Sequence, residues 1–169
     1  MIKRYFATKD NTITNAYETN LKTRGTGSNM GASDILETFS IYGQESETSS
    51  ELSRILLQFD TTEMSADRTA STIPASGSVT WYLKMYDTPH MQTTPRDYSL
   101  LINMVSASWE EGYGIDMDNY QDLTNDGTGS NWINAVGAAV SASMTVTAGN
   151  KTSGQANTRV LTIADIAGN

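Results

Sequence analysis

The stretch Val79-Thr80-Trp81-Tyr82-Leu83-Lys84-Met85-Tyr86 sets Val79, Trp81, Leu83 and Met85 against Thr80, Tyr82, Lys84 and Tyr86. Side chains that alternate with a period of two point to opposite faces of a strand, so one face of this segment is apolar throughout. The same period recurs on both sides of it. Upstream, residues 53–60 place Ile55, Leu57 and Phe59 on one face and Arg54 and Gln58 on the other. Downstream, Tyr98, Leu100, Ile102 and Met104 make a third stripe, and Val140, Ala142, Met144 and Val146, interleaved with Ser and Thr, a fourth. Residues 35–42 and 158–163 are rich in the β-branched and aromatic side chains that suit a pleated surface, and read as strands too. Residues 3–7 with 11–14 supply one or two more.

Between these segments lie stretches dense in Gly, Ser, Asn, Asp and Thr, at 23–33, 43–50, 73–78, 112–131 and 148–157, which read as turns and loops. Strands punctuated in this way predict an all-β chain, an antiparallel β-sandwich formed as a single domain over residues 1–169. No segment longer than about three turns carries an apolar stripe at helical spacing, which argues against a helix-covered parallel sheet. A short helical turn is expected near residues 61–69. The pentapeptide Gly-Thr-Gly-Ser-Asn occurs twice, at 25–29 and 127–131. Five residues fall far short of an architectural repeat, and the pair is read as two similar turns.

Composition narrows the function. The 169 residues suffice to close one core without a staple, and with no Cys there are no disulfides, thiolate nucleophiles or cysteine-held metals. Nineteen acidic against eleven basic residues, a formal charge of −8, oppose binding to nucleic acid, which relies on neutralising phosphates. No run approaches the roughly 20 apolar residues of a membrane span, and Lys3, Arg4 and Lys9 are not followed by the apolar segment of a signal peptide. Neither a membrane partner nor export by a signal peptide is expected.

Catalytic constellations are sparse. The one histidine, His90, stands in Asp87-Thr88-Pro89-His90, a turn after a strand, with no nucleophile elbow anywhere in the chain. Glu110 and Glu111 are adjacent, so on an extended backbone they face opposite ways and cannot flank one glycosidic bond. Gly25-Thr26-Gly27 with Gly31 lacks the closing Lys-Ser or Lys-Thr of a phosphate loop. No enzyme is expected from these residues. In the acidic run 116–122, Asp116, Asp118 and Asp122 are hard oxygen donors that suit a structural Ca²⁺ if a loop gathers them, although the run lacks the EF-hand glycine and closing Glu. A solvated loop is the plainer reading, and no other cofactor is implied. Trp109, Tyr113, Tyr120 and Trp132 crowd the same region, where flat rings beside polar groups can stack on a glycan or anchor an interface.

Several segments, in order over most of the chain, resemble the DNRLRE family of disaggregatase-related, carbohydrate-binding-like modules. They are Asp10-Asn11-Thr12-Ile13, then Ser28-Asn29-Met30-Gly31-Ala32-Ser33, then Arg54-Ile55-Leu56-Leu57-Gln58-Phe59-Asp60, which is similar to the family's Arg-x-Leu-Leu-x-Phe-Asp strand. Ile73-Pro74-Ala75-Ser76-Gly77-Ser78-Val79, Ser108-Trp109-Glu110-Glu111-Gly112 and Asn131-Trp132 follow. The resemblance implies a jelly-roll-like sandwich without catalytic residues, found on cell-surface proteins and in virion proteins of tailed phages. It therefore implies a virion protein, such as a capsid decoration, neck or tail-fibre component, made in the host cytoplasm. Its partners would be further copies of itself or other virion proteins. The alternative is a carbohydrate-binding module using the four aromatics.

Leu83-Lys84-Met85 departs from the family's small-residue strand opening, and no closing Trp-x-x-Gly segment follows residues 160–166. On this resemblance the sandwich lacks its last strand, and Val160, Leu161 and Ile163 form an assembly edge that a partner completes, or the chain is the N-terminal part of a longer one.

Overall fold

The computed structural model describes residues 2–43, 45–75, 77–88, 100–105, 107–115, 129–135, 151–152 and 158–163. They form two compact units, one of Arg4–Asp60 with Ser106–Ala142, the other of Met1–Lys3 with Thr61–Val105 and Ser143–Asn169. Among the described residues strands dominate, every strand pairing is antiparallel and there is one short helix, an arrangement consistent with an all-β class.

In the first unit, β1 (Ala7–Thr14) and β2 (Ser40–Tyr42) flank β3 (Ser50–Phe59). Asn11 lies opposite Leu56 and Ile13 opposite Arg54, with an irregular step between Ala7 and Lys9. The expected stripe is present in β3: Ile55, Leu57 and Phe59 are half-buried, and Arg54 and Gln58 are exposed. The two N-terminal segments merge into the single strand β1, and residues 2–6 stay outside it.

The strand expected over 35–42 shortens to its last three residues because hydroxyl groups take the place of a backbone ladder. The Glu37 N–H donates to Thr12 Oγ1 at 3.1 Å, and the Phe39 N–H donates to Ser53 Oγ at 2.7 Å. Ser53 Oγ then donates to the Glu37 carbonyl at 3.0 Å. Such local side-chain bonds compete directly with regular pairing.

In the second unit, α1 (Thr61–Thr69) precedes β4 (Trp81–Tyr86), β5 (Lys151–Thr152) and β6 (Thr158–Ile163), with β6 between the other two strands. The alternation of β4 is complete: Val79, Trp81, Leu83 and Met85 are half-buried, and Thr80, Tyr82, Lys84 and Tyr86 are exposed. Helix α1 places Glu63 in its first turn and Arg68 in its last, complementing the helix dipole. Lys3 reaches Asp67 at 3.0 Å and Glu63 at 3.6 Å, one helical turn apart. The helix ends where Thr72 N–H bonds the Asp67 carbonyl at 2.8 Å and Ser71 N–H the Arg68 carbonyl at 3.0 Å, with Ser71 in the left-handed region. These are the two bonds of a Schellman cap.

Residues 100–105 are in no assigned strand, Tyr98 at the start of that stripe is outside the described residues, and so is the fourth stripe at 140–146. No helix among the described residues is long and apolar enough to cross a membrane.

Candidate functional site

Among its described residues the first unit buries more polar than apolar side chains. Beside Ile13, Ala16, Met30 and Trp109 it encloses Asn11, Thr12, Thr14, Ser28, Asn29, Glu51 and Ser130. A buried polar group costs free energy unless its hydrogen bonds are made, so each of these must be accounted for.

Asn29 uses its whole amide. Nδ2 donates to the carbonyls of Glu111 and Ser130, both at 2.7 Å, and Oδ1 accepts from the N–H groups of Gly31 at 3.1 Å and Gly114 at 2.9 Å. Asn11, from β1, donates through Nδ2 to the Ser130 carbonyl and to Ser130 Oγ, each at 2.9 Å, and accepts from the Met30 N–H at 2.8 Å. Two asparagines thereby tie together β1, the loop at 25–33, the loop at 109–114 and the segment at 129–135. Ser28, the residue before Asn29, is fully buried, and its Oγ has no hydrogen-bond partner among the described residues.

The two copies of the pentapeptide meet here. Asn29 of the first bonds Ser130 of the second, and the Trp132 N–H donates to the Thr26 carbonyl at 3.1 Å. Each asparagine also accepts from the N–H two residues on, Asn29 from Gly31 and Asn131 from Ile133 at 2.9 Å. In both copies the asparagine thus closes a local turn, a signal that residue spacing alone did not reveal. The amides of Gly25, Ser28 and Gly31 are committed to protein acceptors, so this glycine-rich loop does not cradle a phosphate with them.

Glu110 and Glu111 serve separate partners. Glu111 Oε1 accepts from the Asp10 N–H at 2.9 Å, and Glu110 Oε2 from the Gly129 N–H at 3.4 Å. The carboxyl groups that come together are instead Asp10 and Glu111. Burial, and then the charge of Glu111, raise Asp10 above its ordinary pKa of 3.8. The sign of the linkage follows: the folded state binds the proton more tightly, so stability falls as pH rises from 3.8 through the raised value, and the penalty is fully present above it. We expect Asp10→Asn to unfold at higher urea than the parent at pH 7, with the difference vanishing on acidification below 3.8. An unchanged midpoint at both pH values would show that the pair is not repulsive.

The four aromatics expected as a platform differ in their surroundings where they are described. Trp109 is buried at 6% exposure, with Lys9 donating to its carbonyl at 3.4 Å, so its ring is not offered to solvent. Trp132 is half-buried with the Arg54 guanidinium 4.1 Å from its ring centroid. Tyr113, at 81% exposure, projects freely, and Tyr120 lies outside the described residues. Asp116, Asp118, Asp122 and His90 also lie outside them. Among the described residues no three acidic or histidine side chains converge on a metal-sized space.

The expected edge at the C-terminal strand requires a correction. Val160 pairs with Lys84 on one side and Thr152 on the other, and Leu161 with Leu83 and Lys151, so β6 is an interior strand. Ile163 pairs with Trp81.

Comparison with known protein families, characterised proteins and solved structures finds no match to this chain.

Proposed function

We propose that the chain is a non-enzymatic structural protein of a tailed-phage virion, a capsid decoration, neck or tail-fibre component that acts through protein–protein assembly. The observation that carries this reading is the distribution of apolar side chains. Among the described residues five hydrophobic side chains are buried, against twelve large ones that are exposed, including Phe6 at 81%, Tyr82 at 63%, Leu101 at 63% and Ile115 at 69%. Scattered exposed apolar residues are ordinary, and the reading takes these as surface that neighbouring subunits cover on assembly. The resemblance to the DNRLRE modules and the lack of a catalytic constellation among the described residues support the same reading. Mass spectrometry of purified particles of the virus encoding this chain should find it at a fixed stoichiometry, and its absence from particles would overturn the virion role.

The exposure of Tyr113 favours one further reading, a carbohydrate-binding module in which that ring stacks on a sugar. In that case a monomer would bind a glycan, and Tyr113→Ala would weaken the binding.

A further inference from the structure

Where α1 ends, the second unit contains a cavity of 650 Å³ lined by Lys3, Arg68, Ser71, Thr72 and the apolar run 73–75. A space of this size suits a small molecule, and a few polar groups on an otherwise apolar wall are what fix a ligand's orientation. Charge narrows the ligand. The lining carries two cations and no carboxylate, in a chain whose net charge is −8.

The two cations are not equivalent. Lys3 is already held by Asp67 at 3.0 Å and Glu63 at 3.6 Å, which offsets its charge from the helix side. Arg68 is exposed, and among the described residues its guanidinium makes no ion pair or hydrogen bond, so its fork of N–H donors remains open to an oxyanion. The C-terminal end of a helix opposes an anion through its partial negative charge. Here that charge is covered: the Asp67 carbonyl accepts from the N–H groups of Thr72 at 2.8 Å and Ile73 at 3.4 Å, and the Arg68 carbonyl from that of Ser71 at 3.0 Å.

Ser71 points to the same cavity without reference to charge. It stands at the left-handed position of the Schellman cap, at φ 57°, where glycine is the residue without a steric penalty. A serine there gives up backbone free energy, and among the described residues its side chain makes no hydrogen bond that offsets the loss. Strain retained in this way marks a side chain with a use. We propose that the cavity binds a small organic anion, a carboxylate or a phosphate ester. Arg68 is its principal anchor, Ser71 and Thr72 donate hydroxyl hydrogens to its oxygens, and the apolar run 73–75 covers its hydrocarbon part.

Phenyl phosphate and benzoate share one ring and differ in headgroup, so titrating each into the nitrogen-15-labelled full chain, at an ionic strength held constant with chloride, separates the two kinds of anion. With at least one of them the amide resonances of Ser71 and Thr72 should shift and saturate. For the tighter binder, Arg68→Gln should weaken binding about tenfold, the loss of a charge-assisted hydrogen bond, and Ser71→Gly about threefold. Ser71→Gly keeps the left-handed backbone and removes only the hydroxymethyl group, so its urea midpoint should be no lower than the parent's and weaker binding cannot be laid to a damaged fold. No saturable shift with either probe overturns the site. So does an affinity that either substitution leaves unchanged.

Discussion

Asn29→Ala is expected to destabilise the chain by about 4 kcal/mol, read as a lower urea midpoint at unchanged slope. Four hydrogen bonds end on this one amide, and every partner is a backbone group. Truncation leaves the Gly31 and Gly114 N–H groups and the Glu111 carbonyl without their acceptor or donor. The Ser130 carbonyl retains Asn11. Each buried group left unsatisfied costs about 1–3 kcal/mol, so the loss is several times that of an ordinary surface truncation. Asn29→Asp should not rescue it. An aspartate keeps the two acceptor bonds but turns an oxygen toward two carbonyl oxygens, replacing attraction by repulsion. A loss below about 1 kcal/mol for both variants would show that the cluster does not hold the loops together.

Gly31→Ala should cost about 3 kcal/mol for a different reason, overpacking. A methyl group at this position would overlap the Glu111 carbonyl oxygen and come within 2.8 Å of that of Gly112. These are backbone atoms and cannot swing aside as a side-chain tip would, so the loop at 109–114 must retreat from Asn29. The left-handed Gly112, at φ +82°, stands on the other side of the contact and leaves it no slack. The comparison is Gly77→Ala. Gly77 is also left-handed, at φ +90°, but nothing lies within 4 Å of where the methyl would go. It should therefore lose only the backbone strain of about 1 kcal/mol. Equal losses at both positions would mean that close approach at Gly31 is not limiting.

Local pattern carried much of the fold. The stripe of β4 and the apolar face of β3 follow from side-chain alternation alone, and β6 occupies the expected residues. Helix α1 lies where a helical turn was expected. What pattern did not carry was the polar interior. Asn11 and Asn29 find Ser130 across 119 and 101 residues, and nothing in a hydropathy period encodes a hydrogen bond at that separation. The one available trace was the repeated Gly-Thr-Gly-Ser-Asn, in which Asn29 of the first copy bonds the Ser130 carbonyl of the second. For Trp109, set among acids and glycines, the sequence left both a stacking surface and a core position open; the side chain is buried among the described residues of this unit. The C-terminal segment expected as an open edge proved interior because strand order is invisible in a sequence; β6 is the last described strand but lies in the middle of its sheet.

The account turns on the claim that this chain assembles through its surface. Its most direct test is the mass of the purified protein by light scattering over a wide range of concentrations. A defined multiple of the 18.4 kDa protomer, growing in population with concentration, is the predicted result. A particle that remains at the protomer mass at every concentration would contradict it and leave the exposed Tyr113 and a glycan ligand as the reading to pursue.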